Sequence, residues 1–371
     1  MKILCCEYAV SGGGFEEESL AVPGNTFLRE GAAMLRAVIA DLKRVPGVVT
    51  RVLRDRRLAY IALPGDEVVE VGTAAEFHER LVDEARLADR VFLIAPECGG
   101  VLARLTCEVE CAGGSLLTPA GELVRIASDK NETACHLAAA GVPTAVGFAM
   151  AAGAALPSDF DYPAVLKPAD GAGSAEVSLV PAWRPGLVAP SCFPQWRLER
   201  CVAGHAASVM VLSLNGRTVC FPPCWQQLSD DGRFAYLGGA TPIPARFAVR
   251  AEALARAAVA ALPPANGLFG FDIVLATLDD DASVPGDQQP LGGVERPQAS
   301  TRWRLGDVVI EVNPRLTTSY LGVRRLLVDN PMAALLSGRV PESWRLAPWA
   351  SADEPIVFTA EDSHGVDLEA K

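Results

Sequence analysis

Two apolar stretches late in the chain carry acidic and amide side chains at positions that suit metal binding. Residues 270–275 read GFDIVL and contain Asp272, and residues 308–315 read VVIEVNPR and contain Glu311, Asn313 and Arg315. Because side chains alternate between the faces of a strand, Glu311 and Asn313 point the same way. If the two strands pair, three oxygen donors converge beside an arginine, and such a cluster suits Mg²⁺ held jointly by protein and phosphate. The pattern therefore predicts an enzyme that handles a nucleoside triphosphate.

Two lysines lie at element boundaries where a phosphate could bind. Lys130 stands at a predicted helix start, and Lys167 ends a strand that opens into residues 168–174 (PADGAGS). Either lysine alone is typical of a solvated surface, but glycines after Lys167 let backbone N–H groups approach phosphate oxygens. No GxxxxGK[ST], HExxH or GxSxG motif occurs, so a P-loop, zinc hydrolysis and serine hydrolysis are disfavoured.

The composition is ordinary for a globular protein and disfavours two kinds of partner. The chain has 371 residues, 50% hydrophobic and 21% charged, enough for two or three subdomains. A net charge of −12 disfavours a nucleic-acid partner, and no basic run suggests a membrane surface. Residues 133–158 lack charges but are broken by glycine and proline, which favours helix, turn and strand in a soluble core.

The ten cysteines predict neither a disulfide framework nor a zinc site. No CxxC pair with zinc-site spacing occurs, because Cys107/Cys111 and Cys220/Cys224 are each four residues apart. The first strand is interrupted by Glu7 and does not resemble a secretory signal. We therefore expect a cytoplasmic protein whose reduced thiols act as small core residues.

Two structural units are predicted from the order of strand and helix patterns. Residues 1–117 alternate as β-α-β-α-β, which implies a small parallel sheet with crossover helices. Residues 118–345 form the second unit, in which Asp129 is the predicted N-cap of a helix. A smaller subdomain of this unit is expected at about 141–200.

Turn and loop signals divide the second unit further. Asn215-Gly216 predicts a β-hairpin between two strands. Residues 279–300, between the acidic strands, are polar and read as a flexible insertion. Residues 346–371 read as a polar tail that is poorly tied down.

Five separated elements follow one another in an order that resembles a known enzyme superfamily. A lysine at a helix start is followed by a lysine before a glycine loop, then by residues 199–202 (ERCV), Asp272 and residues 311–315 (EVNPR). This order resembles the ATP-grasp superfamily of carboxylate–amine ligases, and the leading unit resembles the pre-ATP-grasp domain. The fold implied is α/β and α+β, with an N-terminal parallel sheet and helices followed by a two-subdomain ATP-grasp fold.

Within the superfamily, the chain resembles the tyramine–L-glutamate ligase group of methanofuran biosynthesis. The segments that carry this resemblance are 28–35 (LREGAAML), 94–97 (IAPE), 128–130 (SDK) and 311–320 (EVNPRLTTSY). The resemblance implies a ligase of methanofuran- or methylofuran-type cofactor biosynthesis that activates glutamate as an acyl phosphate and joins it to a tyramine- or tyrosine-like amine. It also implies ATP and Mg²⁺, with Mn²⁺ as an alternative.

The resemblance assigns roles to individual residues. The positions implied for ATP are Lys130, Lys167, Gly171, Gly173, Ser174, Glu199, Arg200 and Val202. Those implied for the metal are Asp272, Glu311 and Asn313. Arg315 and Lys167 would be catalytic: Arg315 would steady the transferred phosphoryl group or the acyl phosphate, and Lys167 would contact the ATP phosphates. The loop at 171–174 would close over the phosphates, and backbone groups at 199–202 would contact the adenine.

One position departs from the pattern, and the substrate contacts are less defined. Related ligases often carry an acid seven residues after the hinge glutamate for the ribose, whereas this chain has Ala206. Strand ends of open α/β sheets tend to bind ligands, and local loop hydrogen bonding is the alternative explanation for such residues. The candidate substrate residues are Glu7, Ser11, Glu97, Gln226, Thr317 and Thr318.

The expected partners are therefore small-molecule amino acid and amine substrates, without nucleic acid or membrane, and a homodimer is one assembly considered. Two alternatives remain open at this point. One is another ATP-grasp peptide or amino-acid ligase, and the other is an ATP-binding regulatory protein without turnover.

Overall fold

The computed structural model describes residues 1–17, 22, 24–173, 176–277 and 303–359. In this part of the chain the strands form three sheets, and no helix is long and apolar enough to cross a membrane. The insertion predicted at 279–300 and the loop residue Ser174 lie outside the described residues.

The described part of the N-terminal unit contains four strands and four α-helices, besides two short 3-10 helices. In chain order they are β1 (Lys2–Glu7), α1 (Tyr8–Ser11), α2 (Thr26–Lys43), β2 (Val49–Asp55), β3 (Glu67–Val71), α3 (Ala74–Leu87), β4 (Arg90–Ile94) and α4 (Val101–Cys111). The strands form a parallel sheet in the order β3-β2-β1-β4, as the alternating pattern predicted. The edge strand β3 was not predicted, although three of its five residues are valine; only Val71 at its end is buried.

Alternation along β1 explains how the helices pack on this sheet. Ile3 and Cys5 point into a core that includes α2, whereas Leu4 and Cys6 point into a core that includes α3. Both faces of the strand are therefore buried, which is typical of a parallel sheet between crossover helices.

A smaller antiparallel sheet follows two short helices. The elements are α5 (Glu122–Ala127), α6 (Lys130–Ala139), β5 (Gly147–Ala151), β6 (Ala164–Pro168), β7 (Ser178–Val180) and β8 (Gln195–Arg200). The strand order is β5-β8-β6-β7, and Trp196 is fully buried beneath it. The predicted N-cap is confirmed, since Asp129 accepts hydrogen bonds of 2.7 and 3.0 Å from the backbone N–H groups of Asn131 and Glu132.

The larger antiparallel sheet carries the acidic strands. Its elements and the remaining helices are β9 (His205–Leu214), β10 (Arg217–Cys220), β11 (Cys224–Leu228), β12 (Tyr236–Thr241), α7 (Ala245–Ala261), β13 (Gly267–Leu275), β14 (Val308–Asn313), α8 (Tyr320–Leu326), α9 (Pro331–Ser337) and β15 (Ile356–Phe358). The strand order is β14-β13-β9-β11-β12-β15, with β10 also paired to β9. The predicted hairpin joins β9 and β10, and Asn215 and Gly216 both have positive φ there, at 52° and 77°.

Helix α2 connects the N-terminal sheet to helices α8 and α9, which follow β14. It packs on α8 and α9, and the core of the first unit continues into that region through Tyr320 and Met332. Asp41, near the end of α2, is buried and accepts 2.6 and 2.7 Å hydrogen bonds from the Tyr320 hydroxyl and the Arg324 guanidinium. The position of α2 is thereby fixed against the segment that follows β14.

The polar tail predicted at 346–371 requires a correction. Strand β15 lies within it and pairs antiparallel with β12, with Phe358 almost fully buried. This apolar run is only three residues long and lies in a polar segment, so its pattern did not predict a strand. Its backbone forms the edge of the sheet beside β12.

Candidate active site

The two acidic strands pair, which is the condition on which the predicted site depends. β13 and β14 are antiparallel neighbours, with Asp272 opposite Glu311 and Gly270 opposite Asn313. The Asn313 side-chain amide donates a 2.9 Å hydrogen bond to Oδ2 of Asp272. Gln226, on β11, donates a 2.8 Å hydrogen bond to Oδ1 of the same carboxylate. The strand pair thus gathers two carboxylates and an amide group.

The environment shifts the pKa values of the Asp272 and Glu311 carboxyl groups in opposite directions. Burial, reinforced by the nearby charge of Glu311, raises the pKa of Asp272 from 3.8 to about 6, although its two amide hydrogen bonds act against this. Burial also acts to raise the pKa of Glu311, but the ammonium groups of Lys130 and Lys167 outweigh it and lower that pKa. A cation placed beside Asp272 would favour its charged form.

This donor set fits Mg²⁺ bound together with phosphate. Within the described ranges, no group of three or more His, Cys, Asp or Glu side chains is placed to hold a metal. Mg²⁺ in phosphate sites usually takes one or two carboxylates and completes its octahedron with waters and phosphate oxygens. Asp272 and Glu311, with the amide oxygen of Asn313, match that arrangement.

Lys130 links the acidic strands to the glycine loop. Its ammonium lies 2.8 Å from Oε1 of Glu311 and also donates to the carbonyl of Gly171. Burial acts to lower its pKa, but the Glu311 carboxylate outweighs this and raises it, so the lysine is charged. Gly173 has a φ of 65°, a conformation that glycine adopts readily. The predicted phosphate lysine is therefore buried beside both the metal candidates and the loop.

Lys167 belongs to a second buried ion cluster. Its ammonium lies 2.6 Å from Oε1 of Glu199, whose Oε2 is 2.7 Å from Nε of Arg197. All three side chains are almost fully buried. Lys167 also donates a 3.3 Å hydrogen bond to the carbonyl of Ile310 on β14. The small sheet and the acidic strands meet at this lysine.

Arg315 is held by the N-terminal unit. Its Nε donates a 2.6 Å hydrogen bond to Oε2 of Glu97, and its second terminal nitrogen lies 3.4 Å from Oε1. Glu97 is almost fully buried just after β4. A two-point contact of this kind orients a guanidinium plane as well as neutralising it.

These residues surround one cavity of about 480 Å³, a size that suits a small-molecule ligand. Lys167, Glu199, Asp272, Glu311, Asn313 and Arg315 all line it. The predicted hinge contributes Arg200 and Val202 to the wall, and Gly173 of the loop borders it. Lys130 reaches the same region through its ion pair with Glu311.

The candidate substrate residues separate into two groups. Gln226, Thr317 and Thr318 line the cavity, and Glu97 reaches it through Arg315. Glu7 and Ser11 do not line it. Their side chains are buried and hydrogen-bonded within the first unit: Glu7 accepts a 2.8 Å bond from the backbone N–H of Val10, and the Ser11 hydroxyl donates to the carbonyl of Leu53 on β2. Structural bonding within this unit therefore accounts for that pair.

Several residues of the site were not identified from the sequence. Glu30 on α2 and Tyr236 on β12 line the cavity, and Arg197 supports Glu199. Glu30 lies inside the segment 28–35 that carried the subgroup resemblance, which was its one signal. Nothing in the pattern around Tyr236 or Arg197 distinguishes them from ordinary strand residues.

Ala206 lines the cavity, so the position expected to carry an acid is apolar. Ser229 and Asp230, in the loop after β11, lie in the same cavity wall. Polar groups are therefore available near this part of the cavity.

Comparison with known proteins places this geometry in a family. A model described as an ATP-grasp domain matches residues 127–319, just over half of the chain, and a pre ATP-grasp 3 domain model matches residues 48–124. No curated protein matches the chain.

Solved structures share the fold at low sequence identity. An ATP-grasp superfamily protein from Archaeoglobus fulgidus is 19% identical with a TM-score of 0.62, over 93% of this chain and 90% of that one. An N5-carboxyaminoimidazole synthetase from Staphylococcus aureus, complexed with ADP, is 11% identical with a TM-score of 0.59, over 93% and 79%. The biotin carboxylase domain dimer of 2-oxoglutarate carboxylase from Hydrogenobacter thermophilus, complexed with MgADP and bicarbonate, is 15% identical with a TM-score of 0.61, over 93% and 72%.

The parallel N-terminal sheet, the two antiparallel sheets around one cavity and the matched domain models agree with one another. The fold is that of the ATP-grasp ligases, and the chain belongs to the ATP-grasp family.

Proposed function

We propose that the protein is an ATP- and Mg²⁺-dependent ligase that joins a carboxylate to an amine. The observation that carries this proposal is the convergence of Lys167, Asp272, Glu311, Asn313 and Arg315 on one cavity. Cations and Mg²⁺-type ligands at one place are what phosphoryl transfer needs, because the protein's task there is positioning and charge neutralisation.

In the proposed reaction, a carboxylate oxygen attacks the γ-phosphorus of ATP, the bond to ADP breaks, and an acyl phosphate forms. The amine nitrogen then attacks the acyl carbon, phosphate leaves, and the amide forms with loss of a proton. Lys130 and Lys167 would bind phosphate oxygens, and Arg315, held by Glu97, would orient the transferred phosphoryl group. Asp272, Glu311 and Asn313 would hold Mg²⁺, which supplies charge neutralisation when bound.

The remaining walls of the cavity have complementary roles in this proposal. The glycine loop would cover the phosphates and keep water from the acyl phosphate. The backbone at 199–202 would bind the adenine. Because Ala206 offers no acceptor, we assign the ribose hydroxyls to Ser229 and Asp230, which lie in the same wall.

For the substrates, we propose glutamate as the carboxylate and tyramine or a tyrosine-like compound as the amine, in a methanofuran-type pathway. The support is the sequence resemblance of residues 28–35 and 311–320. We further propose a cytoplasmic enzyme, and a homodimer like the one described for the biotin carboxylase domain.

The test is release of phosphate from ATP with a panel of carboxylates and amines. Glutamate and bicarbonate would be paired with tyramine, tyrosine and other amines, and products would be identified by mass. Release that requires both partners, with a product whose mass equals their sum less one water, is expected. ATP binding without turnover in every pairing would overturn the enzyme proposal and favour a regulatory protein.

A further inference from the structure

One carboxylate of the cavity belongs to α2 and has no ion-pair partner among the described residues. Glu30, on α2, lines the cavity and is half-buried. Among the described residues, no side chain forms an ion pair or hydrogen bond with it. Arg315 and Arg29 influence it only through their charge at longer range.

The buried cations of the site are already paired. Lys130 binds Glu311, Lys167 binds Glu199, and Arg315 binds Glu97. Each of these ammonium or guanidinium groups therefore has a carboxylate within 3 Å, as its ion-pair distances of 2.8, 2.6 and 2.6 Å show. Glu30 is left facing the cavity without a cation of its own.

Two hydroxyl groups in the same cavity wall are also unused. Oγ1 of Thr317 and Oη of Tyr236 are buried, and neither has a hydrogen-bond partner among the described residues. Burial raises the pKa of the Tyr236 hydroxyl, and the neighbouring Thr318 side chain acts in the opposite direction. A buried polar group left without a partner costs roughly 1–3 kcal/mol, so such groups commonly mark a ligand contact. Hydroxyl and carboxylate oxygens can all accept hydrogen bonds.

The position of Glu30 is fixed by the helix that carries it. Asp41, further along α2, is bound by Tyr320 and Arg324 at 2.6 and 2.7 Å. At the start of the helix, Gly31 lies against the Glu7 carboxylate so closely that an added Cβ would approach it to 2.4 Å. Glu30 is therefore presented to the cavity by a helix secured at both ends.

We propose that Glu30, with the hydroxyls of Thr317 and Tyr236, binds a primary ammonium group of the substrate. An ammonium has three N–H donors and a positive charge, which match one carboxylate and two hydroxyl oxygens. The ammonium has two sources: the α-amino group of an amino-acid carboxylate substrate, or the acceptor amine before it loses its proton. This inference rests on the proposed ligase function and specifies the class of substrate it accepts.

The test compares Glu30→Gln with the wild type, with Glu79→Gln as the matched control on an exposed position of α3. We expect Glu30→Gln to raise the KM of one substrate roughly 10- to 100-fold, the effect of losing a hydrogen bond to a charged group. The KM of ATP and the melting temperature should stay near the wild-type values. Thr317→Val, which removes one hydroxyl and keeps its shape, should raise the same KM by a smaller factor.

Two arms identify the source of the ammonium. If the KM of the carboxylate substrate rises, the bound group is its α-amino group. The wild type should then have a higher KM for an analogue without that group, such as glutarate, than for glutamate, whereas Glu30→Gln should have similar KM values for both. If the KM of the amine rises, the acceptor is the bound group. Unchanged KM values for both substrates in a folded Glu30→Gln variant would overturn the inference.

A binding measurement separates this inference from the proposed function. If no pairing gives turnover, amino acids and amines would be tested for thermal stabilisation of the wild type in the presence of Mg²⁺ and a non-hydrolysable ATP analogue. A shift that is present in wild type and Glu79→Gln but lost in Glu30→Gln supports the ammonium site. Shifts that are equal in all three proteins, or absent in all three, contradict it.

Discussion

Glu97 holds Arg315 across the boundary between the N-terminal unit and the acidic strands: its carboxylate accepts a 2.6 Å hydrogen bond from Nε and a 3.4 Å one from a terminal nitrogen. The two residues are 218 positions apart in the chain. Glu97 follows a strand of the parallel sheet, and Arg315 follows β14. The orientation of the arginine in the cavity is therefore set by a domain that contributes none of the proposed metal ligands.

Glu97→Gln should lower kcat without abolishing folding. The amide keeps one acceptor but removes the charge and the two-point contact, so Arg315 loses its fixed orientation. A small misplacement in a phosphoryl-transfer site costs on the order of 100-fold in rate, and we expect a 10- to 100-fold loss. Steady-state kinetics would measure it.

The matched control for that variant is Glu108→Gln. Glu108 pairs with His78 at the surface of the same unit, at 2.8 Å, and does not line the cavity. Its kcat should equal that of the wild type. Equal kcat values in Glu97→Gln and the wild type would mean that the arginine needs no support from Glu97.

Glu311→Gln should abolish turnover while the fold stays intact. The change removes one of the two carboxylates of the proposed metal site and leaves Lys130 without its 2.8 Å partner. Loss of a metal ligand is expected to reduce kcat by roughly 100-fold or more, and higher Mg²⁺ concentrations should restore part of it. Circular dichroism would confirm folding, and Glu132→Gln, at an exposed ion pair, is the control. Near-normal turnover would show that the metal lies elsewhere.

Tyr320→Phe should reduce the free energy of unfolding. The buried hydroxyl donates a 2.6 Å hydrogen bond to the Asp41 carboxylate, and a bond to a charged group contributes about 1.5–3 kcal/mol. Urea unfolding would measure the loss, and Tyr60→Phe, at a largely exposed tyrosine, should change little. A loss below about 0.5 kcal/mol would show that Arg324 alone secures Asp41.

Ionisation of the Glu7 carboxyl group should lower the free energy of unfolding as the pH rises. Burial raises its pKa from 4.5 to about 7, outweighing its backbone hydrogen bonds, so the folded state binds the proton more tightly than the unfolded state does. The contribution of protonated Glu7 to the free energy of unfolding is fully present below about pH 4.5 and is lost as the pH rises through about 7. A shift of this size corresponds to roughly 3 kcal/mol.

Glu7→Gln should remove that dependence, because the amide oxygen still accepts from Val10 and carries no titrating group. The free energy of unfolding would be compared at pH 5 and pH 8. Wild type should lose more stability than the variant over this interval, whereas Glu79→Gln, exposed on α3, should follow the wild type. Parallel pH profiles for wild type and Glu7→Gln would contradict the expectation.

Patterns within single strands predicted the acidic pair well. Alternation along β13 buries Phe271 and Ile273 on one face and places Asp272 on the other. On β14 a register shift beside Asp272 interrupts the alternation, so that Val309 and Val312 both enter the same core. The cap at Asp129 and the hairpin at 215–216 were predicted for the same reason: their signals are local.

Interactions between distant segments were harder to predict. Glu7 ends a strand, where a substrate contact was expected, but its carboxylate instead caps the next helix and lies against Gly31. Glu30 and Tyr236 are about 200 residues apart, and only the packing of α2 near the large sheet makes both part of one cavity. Sequence periodicity cannot predict that two such distant residues line one cavity, because their proximity depends on the tertiary arrangement alone.

Helix α2 has a consequence for how this protein can diversify. Its anchor to Tyr320 and Arg324 lies near its end, whereas the acid that faces the cavity lies near its beginning. On the proposed roles, replacing the first turns of α2 would alter which compound is selected while Lys130, Lys167 and the proposed metal ligands stay unchanged. If Glu30 selects the substrate as proposed, a chimaeric enzyme could acquire a new substrate by exchange of a single helical segment, with Thr317 and Tyr236 retained from the second unit.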